Sequence, residues 1–97
     1  MRHTIVFAPL AAEDLDRLRA FDRATVLAAI EEHLRHQPEK RSRSRIKRLR
    51  GLRKPQYRLR VGEIRVFYDV APPSVEILAV VAKSTAADRL EHHGELD

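Results

Sequence analysis

No cysteine occurs in the 97 residues. Disulfides and thiolate chemistry are therefore excluded, and the absence fits a reducing compartment. Long apolar runs are missing as well. The opening MRHTIVFAPLAAEDLDRL has one short run, quickly followed by acids. It reads as neither a signal peptide nor a membrane span, which needs about 20 apolar residues. A cytoplasmic protein with no membrane association is the expectation. No Gly-rich phosphate loop and no Ser-His-Asp arrangement is visible, and no cofactor is expected. Acids are missing from one long interval. From Lys40 to Arg60 there are 11 Lys and Arg in 21 positions with no Asp or Glu, while the other 8 basic residues lie among all 14 acids.

What is present is a basic chain of single-domain size, expected to fold as one unit over residues 1–97. A chain of this length hides somewhat more than about 60% of the surface its unfolded form exposes, so it needs no staples. Net charge is +5 and the sequence pI is about 10.2, which makes polyanions candidate partners. The basic run leads into a strand pattern instead of ending in a tail. That favours a structured anion site over a solvated loop.

TIVF, residues 4–7, reads as a first strand. Pro9 suits the first turn of a helix, although Ala8 before it is a poor N-cap. Leu10, Ala11, Leu15 and Leu18 paint one helical stripe. Asp22 is the expected N-cap of a second helix, with Val26, Leu27, Ala29, Ile30 and Leu34 in a 3.6-type pattern and Pro38 past its end. The two helices should form an antiparallel hairpin. Residues 37–45, QPEKRSRSR, read as an exposed loop. The segment IKRLRGLRKPQ fits either a short helical turn or an irregular approach to the next strand.

Alternation then turns strand-like at Tyr57, Leu59 and Val61. Gly62 can adopt the positive φ of a type II′ turn, so Gly62-Glu63 is a two-residue hairpin loop. Ile64 to Val70 is the return strand, APPS breaks the chain, and Val75 to Val81 is a further strand. STAADRLEHH reads as a terminal helix with Ser84 as N-cap and Gly94 after it. The order is β-α-α-β-β-β with a C-terminal helix. The fold class is α+β: a helix hairpin packed on a small antiparallel sheet.

The two-residue loop fixes the register. It pairs Val61 with Ile64, Arg60 with Arg65, Leu59 with Val66, Arg58 with Phe67 and Tyr57 with Tyr68. One face, Tyr57, Leu59, Val61, Ile64, Val66 and Tyr68, is the core side. The other carries Arg58, Arg60, Arg65 and Phe67, with Asp69 beyond. Like charges directly opposed destabilise a sheet, but a fully exposed pair costs little in salt and becomes useful when a phosphate sits between. Arginine matches phosphate in bidentate fashion, and Phe67 is placed to stack on a base. Simple alternation along the last strand puts Val75, Ile77, Ala79 and Val81 on one face and Leu78, Val80 and Ala82 on the other. Something should then cover its second face, either the terminal helix or a partner chain.

The sequence YRLRVG, followed two residues later by RVFY, together with the FAPLAAEDLDRL opening, resembles the RelE/ParE superfamily of toxins from bacterial type II toxin–antitoxin modules. The resemblance covers nearly the whole chain. It implies the RelE/ParE-like fold and a cognate antitoxin as partner. One branch of that superfamily cleaves mRNA on the ribosome, through basic side chains acting on the scissile phosphate; the other poisons DNA gyrase. Arg58, Arg60 and Arg65 match basic positions of the nucleases. After the last strand those nucleases carry an Arg and then a Tyr, where this chain has Ser84 and Leu90. Lys83 is the nearby basic residue. On the first reading the chain is a metal-independent endoribonuclease in which Arg58, Arg60, Arg65 and Lys83 are catalytic. Lys47, Arg48, Arg50, Arg53, Lys54 and Phe67 then grip nucleic acid, and the partners are the ribosome and mRNA. The alternatives are a non-nucleolytic inhibitor of gyrase and an inactive nucleic-acid-binding module.

Cleavage by 2′-hydroxyl attack needs phosphate stabilisation and proton transfer, and arginine supplies only the first. Histidine would be the usual proton carrier. His3, His33, His36, His92 and His93 nevertheless read as solvated side chains. No carboxylate or Cys pattern completes His33 and His36 as a metal site, so no metal is expected.

Overall fold

The structure, a computed structural model, describes residues 2–97; Met1 of the expected domain lies outside the described residues. The chain runs β1 (Thr4–Phe7), α1 (Pro9–Arg17), α2 (Ala20–Leu34), β2 (Ile46–Arg48), β3 (Leu52–Lys54), β4 (Tyr57–Val61), β5 (Ile64–Ala71), β6 (Ser74–Ala82), α3 (Lys83–His93) and β7 (Glu95–Leu96). Five strands form the main sheet in the order β1-β6-β5-β4-β2, and β3 with β7 makes a small second one. The expected α+β fold and helix hairpin are present. The sheet is mixed instead of purely antiparallel, because β1 pairs parallel to β6. The meander occupies one edge of β6 with β5, so the other edge is the one β1 can join. Among the described residues no helix is long and apolar enough to cross a membrane.

One sheet face packs on the helix hairpin. Val26, Ile30 and Leu34 of α2, with Ala11 of α1, meet Leu59, Val66, Tyr68, Val75, Ile77 and Val80 in a single core. Pro9 opens α1 as its first residue, and Ala8 supplies no side-chain cap. Helix α2 starts earlier than expected. Arg19 is the N-cap and Asp22 lies in the first turn, where its charge still suits the helix dipole. Similarly, Ala82 and not Ser84 precedes the first residue of α3, and Gly94 ends it. Gly94 also packs closely, since a Cβ there would lie 2.4 Å from the Leu90 carbonyl oxygen.

The hairpin register is the counted one, from Tyr57 opposite Tyr68 to Val61 opposite Ile64. Gly62 has φ +59°, and among the described residues no non-glycine residue has positive φ, Glu63 included, as a type II′ turn requires. Tyr57 and Tyr68 stack with centroids 5.5 Å apart, and the Tyr68 hydroxyl donates to the Pro38 carbonyl at 2.7 Å. Burial, chiefly, pushes that hydroxyl's pKa well above the ordinary tyrosine value.

The faces of β6 differ from simple alternation. Phe67 pairs with Ala79 but Tyr68 pairs with Ile77, so Leu78 is an extra residue with no partner on β5. A bulge of this kind shifts the alternation by one. Val80 therefore joins Val75 and Ile77 on the core face, while Ala79 and Val81 stand beside Phe67 and Arg65 on the outer one. Residues 46–56 also differ from both readings. They hold two short strands, β2 against β4 and β3 against β7. His3, expected to be solvated, is 7% exposed; its ring Nδ1 lies 3.2 Å from the carbonyl of Arg35 at the end of α2.

Candidate nucleic-acid interface

The strand pairings assemble the outer face row by row. Lys47 of β2 lies directly opposite Arg58 of β4, which lies opposite Phe67 of β5. In the next row Arg60 lies opposite Arg65, and the Arg60 backbone N–H donates to the carbonyl of Arg45 at 2.8 Å. Two successive rows thus put cations beside cations across β2, β4 and β5. Arg58 reports the crowding. Burial first, then the charges of Arg65 and of Arg60, push its guanidinium below the ordinary arginine pKa. Its Nε is buried and has no hydrogen-bond partner, the situation of a donor held for an acceptor the chain does not itself supply.

Arg60 and Arg65 do not form a fully exposed pair. Arg60 is exposed, whereas Arg65 is 8% exposed. The Arg65 Nη1 donates to the carbonyls of Gly62 at 2.8 Å and Ile64 at 3.2 Å, so this side chain also clips the turn. Lys83, the first residue of α3, lies at the same turn. Its backbone N–H donates to the Glu63 carbonyl at 2.7 Å and its side chain is exposed. Lys83 thus stands at the end of the sheet that carries Arg60 and Arg65.

The remaining expected residues are dispersed. Arg48 pairs with Tyr57, a core-face residue, and its guanidinium sits 5.3 Å from that ring's centroid. Odd and even positions of a strand point to opposite faces, so Arg48 and Lys47 are on different sides. Arg50 is exposed in the link between β2 and β3. Arg53 is ion-paired with Glu95, and Lys54 lies 3.5 Å from Glu76; neither is part of the arginine rows. Phe67 is 2% exposed, so it offers no open ring face to a base. It lines a cleft of about 340 Å³ with Leu78, Ala79 and Leu90, between the sheet, α3 and the start of α1. Helix α3 is therefore the cover over the second face of β6, and Leu90 serves it as a packing residue.

Two residues that the sequence did not single out hold that cover. Asp14 of α1 is 4% exposed. Its carboxylate accepts from the Arg89 guanidinium at 2.6 and 2.7 Å and from the Val80 backbone N–H at 2.9 Å. Strand β1 pairs with β6 only as far as Ile77, and Asp14 satisfies an N–H on β6 beyond that point. The hydrogen bond to Asp14 raises the Arg89 pKa further. A signal was present in the sequence: Asp14 interrupts the apolar stripe of α1, four residues after Leu10 and three after Ala11. His33 and His36 border one shallow recess, but among the described residues no group of His, Asp or Glu is placed to hold a metal ion.

The fold is that of several solved toxin–antitoxin chains. A chain of the RelB-RelE antitoxin-toxin complex from Methanococcus jannaschii is 24% identical, with a TM-score of 0.63, and the match covers 86% of this chain and 95% of that one. For the RelBE2 toxin-antitoxin complex from Mycobacterium tuberculosis the values are 25%, 0.68, 84% and 99%. For the archaeal RelE-RelB complex from Pyrococcus horikoshii OT3 they are 22%, 0.69, 89% and 100%. No curated protein sequence matches. The family model described as "ParE toxin of type II toxin-antitoxin system, parDE" matches residues 5–86. A small α+β domain of RelE-like architecture is thus the class, and the chain belongs to the ParE toxin family of type II toxin–antitoxin systems.

Proposed function

We propose that this toxin inhibits translation by cutting mRNA bound at the ribosome, with the outer face of β2, β4 and β5 as its phosphate site. The observation that carries the reading is the Arg58 Nε, buried and without an acceptor beside the charges of Arg60 and Arg65. Such a group gains most from an oxyanion, which supplies the missing acceptor and relieves the like-charge crowding. Arg58, Arg60 and Lys47 contact the phosphate. Arg65 holds the Gly62 turn and adds its charge. In the reaction the ribose 2′-hydroxyl gives its proton to solvent as its oxygen bonds to phosphorus, the 5′-oxygen leaves, and a cyclic phosphate remains. The arginines stabilise the charge that develops on the phosphoryl oxygens, and Lys83 gives a proton to the leaving oxygen. A cognate antitoxin, as in the RelB complexes of the similar structures, keeps the toxin inactive.

A second reading, inhibition of DNA gyrase, is favoured by the ParE family match and by Ser84 and Leu90 at the positions where the nucleases carry Arg and Tyr. Primer extension on ribosome-bound mRNA separates the two. Discrete cuts that disappear in Arg60→Ala and Arg58→Ala support the first. Gyrase-dependent DNA breaks with no RNA cuts replace it by the second. Salt-sensitive RNA binding with neither effect leaves a binding module. Growth arrest on induction, relieved by the antitoxin, tests toxin action itself.

A further inference from the structure

Helix α2 has two apolar faces. Val26, Ile30 and Leu34 fill the core. On the far side of the helix, Ala20, Phe21, Ala24, Leu27 and Ala28 are all exposed, Phe21 to 80% and Leu27 to 39%. Their spacing of one, three, three and one residues is helical, so they form one stripe. Polar residues such as Thr25 and Glu32 lie between the two faces, and a second apolar face on a helix is normally covered as the first is. Among the described residues nothing covers this one.

The charges at the two ends of the stripe indicate what does. Arg19 stands at the start of α2, its side chain 91% exposed, and Glu32 in the last turns, its side chain 74% exposed. Glu31 lies beside Glu32, paired within the chain to Arg35. Asp22 lies 3.7 Å from Arg19, but Arg19 and Arg23 against that one acid leave the start net basic, and Glu31 and Glu32 against Arg35 leave the end net acidic; the helix dipole has the same polarity. An antiparallel copy of the same helix brings opposite charges together at both ends; a parallel copy opposes like charges. The apolar residues obey the same symmetry. Phe21 lies three positions before Ala24 and Leu27 three after, so a two-fold axis beside Ala24 sets Phe21 of one copy on Leu27 of the other. Ala20 then meets Ala28, and small side chains there admit close approach. Residues 9–35 carry six acids and four arginines, so this side of the molecule has none of the positive excess that crowds the opposite face.

We infer that the stripe on α2 is an isologous contact between two copies of this chain, paired antiparallel about Ala24. A single helix face falls below the roughly 800 Å² per partner of a standard stable interface, so the dimer is weak and dissociates on dilution. The inference does not depend on which target the basic face serves.

The test uses the full chain freed of antitoxin, in sedimentation equilibrium from about 10 to about 500 micromolar. A monomer–dimer equilibrium is expected, weakened by at least about tenfold in Phe21→Glu. Phe21 is exposed enough for the change to leave the fold intact. Arg19→Glu and Glu32→Arg should each weaken pairing, and the two together should restore it, which a merely misfolded variant would not do. Because the chain has no cysteine, Ala24→Cys provides a unique thiol and should oxidise readily to a disulfide-linked dimer. A monomer throughout this range overturns the inference. So does a dimer indifferent to Phe21→Glu, or one whose charge reversals fail to compensate. If Phe21→Glu spares self-association but abolishes antitoxin binding, the stripe belongs to the antitoxin and the inference is wrong.

Discussion

Replacing Asp14 with alanine should unlatch α3 from the sheet. The carboxylate holds three donors: both guanidinium nitrogens of Arg89 and the backbone N–H of Val80. The Val80 N–H is buried beyond the end of β1, and leaving such a donor unsatisfied costs about 1–3 kcal/mol. Arg89 is partly accessible and can turn toward water, so losing its partner costs less than the roughly 3–5 kcal/mol of a fully buried broken pair. Together these give about 3 kcal/mol, or a fall in Tm of about 12–24 °C for a domain of this size. Asp14→Asn keeps an oxygen for Val80 and should lose about half as much. Urea denaturation of Asp14→Ala, Arg89→Met and the double variant measures the coupling, expected at about 2 kcal/mol. An Asp14→Ala variant within about 1 kcal/mol of the parent would refute the latch. Hydrogen exchange should show the loss concentrated in α3 and β7, the segments with little buried surface of their own.

Arg58→Met keeps an apolar stem while removing an orphan donor and a like charge. It should raise stability by about 0.5–1 kcal/mol, weaken binding of single-stranded RNA, and reduce the slope of log K against log salt by about 0.7. Gly62→Ala meets no steric block, since nothing lies within 4 Å of the added Cβ, but φ is +59°. The expected cost is about 1–2 kcal/mol in chemical denaturation, from backbone strain alone. Tyr68 is held neutral by burial, with a pKa above its unfolded value. Its contribution is therefore complete below about pH 10 and is lost as pH rises past that value, by up to about 1.4 kcal/mol per unit. Tyr68→Phe should flatten this alkaline limb of the stability curve, at the expense of the hydrogen bond to Pro38.

The arginine rows were legible because a two-residue loop leaves one register, and counting outward from Gly62 then places every side chain of β4 and β5. The same counting failed on β6. Nothing about Leu78 itself announces an extra residue, and the bulge transfers Val80 to the core and Val81 to the outer face. Strand β2 escaped notice because three residues, two of them basic, carry no periodic signal; its place is set by pairing with β4. That pairing also explains why Lys47 joins the basic face while Arg48 turns to the Tyr57 ring. Phe67 was placed on the correct face, but its covering by α3 depends on the Asp14–Arg89 contact between residues 75 apart in sequence. Long-range polar pairs of this kind leave almost no local trace.

The unpaired Leu78 also bears on how this lineage can change. Substitutions along β6 alter one side chain at a time, but a change of length acts on the register. Removing Leu78 would close the bulge, with Ile77 still opposite Tyr68 and Ala79 still opposite Phe67, so Val80 stays in the core and Val81 on the outer face. Lys83 would keep its place at the turn it shares with Arg65. An insertion has no such outlet, because a residue added between Ala79 and Ala82 reverses the side chains downstream of it. The strand is therefore open to loss of its one extra residue and closed to gain of another. Relatives that retain the basic face should match this length between Ile77 and Lys83 or be shorter by one.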